Sequence, residues 1–284
     1  MSPSPPTLPA APLLGVDFSS APTARKPVVM AWGERQGARV VLDRLEPCAS
    51  LPAFEAALDR EAAWVGGFDL PFGLPRELVE TLGWPSDWAA CMDHYATLER
   101  AHIRSTFAAF CDGRPVGGKF AHRACDRPAG SSPSMKWVNP PVAYMLHAGL
   151  PLLRRLGAAF PAHPTGPGGA LAPAGARVAL EAYPGLLARE LLGARSYKSD
   201  DRAKQTPERL IARKDLVDAL EQGRSRLGLR LVLRHAQREA LVDDASGDRL
   251  DAVLCLLQAA WAQGQPRWGL PEGLDALEGW IVSA

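Results

Sequence analysis

The chain has 284 residues, of which 47% are apolar, 22% charged and 7% aromatic. This composition excludes a disordered polymer, a collagen-like chain and a disulfide miniprotein, and it can bury a substantial core. Lys plus Arg number 32 and Asp plus Glu 31, a formal charge of +1, so there is no global case for a nucleic-acid partner and none against a local basic groove.

The five cysteines form no Cys-x-x-Cys and the six histidines no His-Glu-x-x-His, which argues against a disulfide framework or a zinc site. No apolar run reaches the roughly 18–20 residues of a membrane span. Residues 1–12 carry five prolines and no basic residue, which reads as a disordered Pro-rich lead rather than a signal peptide, and the expected location is cytoplasmic. A single domain is expected over 13–284.

The first ordered element is a short apolar run, Leu13-Leu14-Gly15-Val16-Asp17-Phe18, with an aspartate near its end. Val28–Trp32 and Ala38–Leu42 follow around a Gly-containing turn and read as a hairpin, so the chain opens with a three-stranded meander. Ser50 suits a helix N-cap before Leu51, Phe54, Ala57 and Leu58 at helical spacing. Ala63–Asp69 reads as a fourth strand that again ends in aspartate and is broken by Leu-Pro-Phe-Gly-Leu-Pro; strand, helix, strand implies a right-handed parallel crossover.

The middle reads as a helical insertion over about 84–175. Trp88, Met92, Tyr95, Ile103, Phe107 and Phe110 mark one apolar face, and a loop over 113–135 carries Lys119, His122, Arg123 and Asp126. A helix is expected over Pro140–Ala159, and residues 161–175, with four prolines and four glycines, read as an exposed insertion. Ala176–Glu181 reads as a fifth strand ending in a carboxylate, followed by helices to Gly193, over Thr206–Glu221 and over 228–241, and by a long apolar helix opening with Asp248-Arg249-Leu250-Asp251. The sum is an α/β chain with a central mixed five-stranded sheet, β-β-β-α-β-…-β-α.

Asp17, Asp69 and Glu181 therefore lie at the ends of three predicted strands, and Asp248 and Asp251 share one face of a helix start. Ligands of α/β sheets bind beyond the carboxyl ends of parallel strands. Carboxylates meeting there repel unless a cation neutralises them or their pKa values rise, and oxygen-only ligands select Mg²⁺ or Mn²⁺. That combination points to metal-assisted phosphodiester hydrolysis. Each position also has a structural reading: Asp17 and Asp69 as turn formers, Glu181 as a salt-bridge partner, Asp248 and Asp251 as residues that complement a helix dipole. A basic excess over 195–238, including Lys198, Arg202 and Lys204, and the loop residues Lys119 and Arg123 are candidate phosphate contacts, with a solvated helix face as the alternative.

The β-β-β-α-β opening, Gly15-Val16-Asp17, Asp69 and the terminal Asp248-x-x-Asp251-Ala252 resemble the ribonuclease H-like superfamily. More narrowly, Gly15-Val16-Asp17, Asp69-Leu70-Pro71-Phe72-Gly73-Leu74-Pro75, Glu181-Ala182-Tyr183-Pro184, Tyr197-Lys198 and Asp248-Arg249-Leu250-Asp251-Ala252 resemble the domain-of-unknown-function 429 family, described as predicted nucleases of ribonuclease H fold, over about residues 13–262. The resemblance implies a nuclease acting on nucleic acid with Mg or Mn, in which Asp17 bridges two metals, Asp69 takes the fourth-strand acid position, and Asp248 and Asp251 take the final-helix position. Glu181 matches a family motif without a settled role. One departure is that resolvase-type relatives carry glutamate where this chain has the shorter Asp69. Two rival readings are a non-catalytic nucleic-acid-binding module of the same fold and an actin- or sugar-kinase-like phosphotransferase. The latter requires a second β-β-β-α-β half.

Overall fold

The structure, a computed structural model, describes residues 11–164 and 175–284. The expected lead, except for its last two residues, and most of the expected Pro/Gly insertion lie outside the described residues. In chain order the elements are β1 (Leu13–Asp17), β2 (Val28–Gln36), β3 (Arg39–Cys48), α1 (Leu51–Asp59), β4 (Trp64–Asp69), α2 (Arg76–Thr81), α3 (Trp88–Thr97), α4 (Arg100–Asp112), α5 (Asp126–Ala129), α6 (Val142–Arg155), β5 (Arg177–Glu181), α7 (Pro184–Leu192), α8 (Pro207–Glu221), β6 (Arg230–Val232), α9 (His235–Asp243) and α10 (Asp248–Gln263).

The strands form one mixed sheet in the order β5-β4-β1-β2-β3-β6. β1, β2 and β3 are antiparallel neighbours, while β4 runs parallel to β1 and β5 parallel to β4. The meander and the crossover through α1 thus form as the sequence predicts. Ser50 caps α1 by accepting from the Ala53 N–H at 3.2 Å, and Phe54, Ala57 and Leu58 are buried. The sheet has six strands rather than the expected five. β6 forms inside the segment expected to be helical over 228–241, pairs in parallel with β3 at Arg39–Val41, and is followed by α9. The apolar face expected from Trp88 to Phe110 is split between α3 and α4, because Leu98 takes an extended conformation (ψ 143°) and breaks the helix. α6 is shorter than the Pro140–Ala159 expectation, and the 113–135 loop contains the short helix α5. After β5 the described residues contain one further strand, β6, and no second meander.

Helices cover both faces of the sheet. One face packs on α1 and the helical segment α2–α6 through Leu14, Val16, Met30, Trp32, Phe68 and the buried Trp88, Tyr95 and Phe107. The other packs on α7, α8, α9 and α10 through Leu13, Ala31, Val65, Leu180 and the apolar side of α10. α10 lies directly against β1. A Cβ on Gly15 would stand 2.0 Å from the Ala252 carbonyl oxygen and 2.2 Å from the Leu256 nitrogen, so only glycine lets the helix sit this low. The close approach brings the first turn of α10 beside the carboxyl ends of β1 and β4.

His163 is locked into the first core. It stacks on Trp88 with ring centroids 4.5 Å apart, its Nδ1 lies 2.6 Å from the Ala276 carbonyl, and its Nε2 is buried with no partner among the described residues. Burial lowers its pKa to about 3, against a modest upward pull from the Ala276 carbonyl. A histidine depressed in the fold takes up its proton in the unfolded chain first. Its contribution is therefore complete above about pH 6.5 and is lost as pH falls, by roughly 3 kcal/mol at about pH 4. Chemical denaturation across this range should show His163→Phe losing less stability on acidification than the parent chain. Parallel slopes would show that His163 does not carry the effect.

Candidate functional site

Asp17 and Asp69 are the last residues of β1 and β4 and are paired across the parallel ladder, so their side chains leave the same face of the sheet side by side. That face is the one α10 covers, and α10 adds Asp251 and Asp248 from its first turn. The four carboxylates act on one another. Burial, then Asp251, Asp248 and Asp69, push the Asp17 carboxyl well above the usual carboxylate range, with a partial offset from Lys198. Burial and Asp251 raise Asp69 to about 7. Burial also raises Asp248, against the pull of Lys26.

Two lysines answer part of this charge. The side chain of Lys198 pairs with the fully buried carboxylate of Asp251, which also accepts from the Tyr197 hydroxyl. Lys198 stays protonated: burial opposes its charge, and Asp251, Tyr197 and Asp17 outweigh the opposition. Lys26 lies 2.5 Å from Asp200 and 3.9 Å from Asp248. Arg213, itself buried, holds the Tyr197 carbonyl at 2.8 Å and so fixes the segment that delivers Tyr197 and Lys198. Among the described residues, Asp17 and Asp69 have neither an ion-pair partner nor a side-chain hydrogen-bond donor. They face a cleft of about 430 Å³ lined also by Ser19, Ser20, Lys26 and Lys198.

Glu181 is not brought to this group. β5 pairs with β4 so that Glu181 stands opposite Phe68, one residue behind Asp69, and successive side chains in a strand alternate faces. Glu181 therefore points to the opposite side of the sheet. Its two oxygens meet Arg123 at 2.6 and 2.7 Å, and one also accepts from the Phe72 N–H at 3.0 Å. Arg123 is not a free phosphate contact either. It is 2% exposed, and its five N–H groups are committed to Asp126, Glu181 and the Glu278 carbonyl. Lys119 is exposed after α4; Arg202 and Lys204 are exposed on a 3₁₀ turn, where Lys204 lies 3.5 Å from Asp201; none of the three lines the cleft.

Sequence reasoning gave no role to Tyr197 or Lys26 and took Lys198 for a phosphate contact. The Tyr197-Lys198 dipeptide was visible as a motif, but its pairing with Asp251 depends on two segments more than fifty residues apart. Nothing local marks Lys26.

The donor set suits a hard divalent cation: it consists of carboxylate oxygens, and two of the carboxylates have no cation or donor of their own. Asp17 and Asp69 would hold such an ion first, with Asp251 and Asp248 completing the set. As the side chains stand, no group of three or more His, Cys, Asp or Glu among the described residues is placed to hold a metal ion. All five cysteines are buried free thiols, and Cys255, beneath the acids, has its pKa held well above the usual thiol value by burial and by Asp69, Asp251 and Asp17.

Comparison with known families gives one match: the family model described as a protein of unknown function (DUF429) matches residues 15–272. No curated protein and no solved structure matches the chain.

Proposed function

The chain belongs to the DUF429 family, whose description assigns no activity, and from the acidic cluster in its cleft we propose that it is a divalent-metal-dependent nuclease that hydrolyses phosphodiester bonds in nucleic acid. The observation that carries this reading is the pair Asp17 and Asp69, side by side at the ends of parallel strands, facing a cleft and, among the described residues, without an ion-pair partner. Two such carboxyls kept half-buried with raised pKa values destabilise the metal-free protein, and a cation removes that cost.

The strand order supports a ribonuclease H-like reading of the fold: a meander β1–β3, then β4 and β5 added in parallel beside β1, with β6 as an extension of the far edge. A bound Mg²⁺ or Mn²⁺ supplies Lewis-acid polarisation of the phosphoryl group and makes water a competent nucleophile near neutral pH. The chain's own residues do the rest. Asp17 and Asp69 fix the position of the ion relative to the sheet. Tyr197 and Lys198 orient Asp251. Lys198 and Lys26 bring positive charge to the walls along which phosphates pass.

The test is incubation of the full chain with labelled single-stranded, duplex, hybrid and branched substrates in Mg²⁺ or Mn²⁺. Cleavage that stops on chelation is expected, and failure on every substrate with both ions overturns the proposal. Tyr197→Phe removes one hydrogen bond to Asp251 and leaves the ring. It should lower the metal-dependent rate about 10–100-fold, the usual effect of losing a group that orients a ligand. A rate within twofold of the parent would remove Tyr197 from the machinery.

A further inference from the structure

The cleft has a second arm. Beyond Asp69, Lys198, Pro140 and Met145, which line both arms, a space of about 330 Å³ extends between the β4–α2 connection and the start of α6. The arm of about 430 Å³ is lined by hydroxyls and charges, Ser19, Ser20, Lys26 and Ser199 among them. The smaller arm is walled mostly by apolar groups, Leu70, Pro71, Val142 and Tyr183 among them, with Ser131 and Ser132 adding two hydroxyls. Val142 and Met145 lie one turn apart on α6 and so present one side of that helix to it. Arg123 and Lys198 both reach this arm, but the Arg123 guanidinium is spent on Asp126, Glu181 and the Glu278 carbonyl and the Lys198 ammonium is paired with Asp251, so the arm offers little free positive charge.

We infer that the substrate is single-stranded nucleic acid, or an unpaired stretch of it, bound with its phosphates along the polar arm and one base in the apolar arm. The inference rests on the nuclease reading and names the substrate class for that site. A nucleotide joins a charged, strongly hydrated phosphate to a flat apolar base, and the cleft joins a polar volume to an apolar one at the acids themselves. A phosphate gains nothing among Leu70, Pro71 and Val142, whereas a base removed from water there gains contact on its faces. The volume is that of a small-molecule pocket, enough for a base with part of its sugar and too little for a stacked base pair between two backbones.

Tyr183 is held in place before anything binds. The Tyr183 N–H donates to Gln258 Oε1 at 3.1 Å, and the Arg189 guanidinium stands 5.4 Å from the Tyr183 ring centroid, so the ring does not have to be ordered on binding. A duplex reaches the arm only by unstacking and flipping a base, at a cost that an unpaired strand does not meet. An apolar wall holds every base by its face, so preference among the four bases should be weak.

The experiment is fluorescence anisotropy of the full chain, in Ca²⁺ and in chelator, with a short labelled strand and with the same strand in a duplex, for the parent and for Val142→Trp, which fills the apolar arm. The parent should bind the unpaired strand about 10²-fold more tightly than the duplex. Val142→Trp should lose at least about tenfold on the strand and nothing on the duplex, with an unchanged melting temperature as the control for folding. Ser132→Trp, at a half-buried residue that lines the same arm, provides the same readout should Val142→Trp unfold. Equal affinity for strand and duplex, no binding of either, or filled variants that bind the strand like the parent would each overturn the inference. Cleavage assays on the same molecules separate it from the reading it rests on. Strand binding that is lost in Val142→Trp, without cleavage in Mg²⁺ or Mn²⁺, removes the nuclease and leaves the ligand. Cleavage of strand and duplex at equal rates removes the ligand and leaves the nuclease.

Discussion

Replacing Arg123 by methionine should cost about 3–5 kcal/mol, the penalty for breaking a buried ion pair by removing one partner. The guanidinium lies between Asp126, at 2.9 and 3.1 Å, and Glu181, at 2.6 and 2.7 Å, and it also reaches the Glu278 carbonyl at 3.2 Å. These groups come from the start of α5, the end of β5 and the C-terminal segment, whose Glu278 also accepts from the Arg76 and Ala124 N–H groups at 2.8 Å. Side-chain exposure of Arg123 and Asp126 is 1% and 0%, so water cannot take over when the cation is removed. Thermal unfolding should shift down by roughly 6–20 °C at the few degrees per kcal/mol of a chain this size. Arg123→Lys, which keeps the charge and gives up the planar fork, should fall between the two. A methionine variant that melts with the parent would mean that the Glu181 and Asp126 carboxyls find other partners or protons at little cost.

Asp17→Asn should lower metal-dependent cleavage by more than the 10–100-fold expected from losing an orienting partner, because it removes a carboxylate that holds the ion itself. The same substitution should raise the melting temperature in chelator. Burial, then Asp251, Asp248 and Asp69, hold the Asp17 pKa above its unfolded value. The fold therefore favours the protonated form, and its stability falls as pH rises through the folded pKa. Asparagine carries no such penalty. The variant should melt higher than the parent near pH 8, and the two should converge below about pH 4, where both side chains are neutral. Saturating Mn²⁺ should reverse the order: the parent gains about 2.7 kcal/mol at a hundredfold excess over its dissociation constant, and the variant gains less. Retained cleavage in Asp17→Asn would sink the assignment of the site. A lower melting temperature in chelator would sink the account of its electrostatics.

Much of the frame was legible because its signals are local. The Ser50 cap and the spacing of Phe54, Ala57 and Leu58 act within a few residues and formed as read, and the hairpin formed too, with its turn tightened from the expected Gly33–Gly37 to Gly37-Ala38 because β2 runs on to Gln36. β6 escaped because three residues, Arg230-Leu231-Val232, sit in a leucine-rich stretch that looks helical by itself, and only the free edge of β3 makes them a strand. The break between α3 and α4 is two residues, Leu98 and Glu99, whose types do not mark it.

At the site, sequence alone placed Asp17, Asp69 and Glu181 at the ends of strands and Asp248 and Asp251 at the start of a helix, and the structure has them there. Tertiary structure decided what each carboxylate meets. Asp17 and Asp69 share a face because β1 and β4 pair in register, while Glu181 turns away to Arg123 because β5 pairs one residue behind. Tyr197 and Lys198 became partners of Asp251 because glycine at position 15 lets α10 settle onto the sheet. Strand ends and helix starts are set by neighbours in sequence. The parity of a strand and the depth of a helix are set by contacts between distant segments, and in a sheet one residue of register separates the two faces.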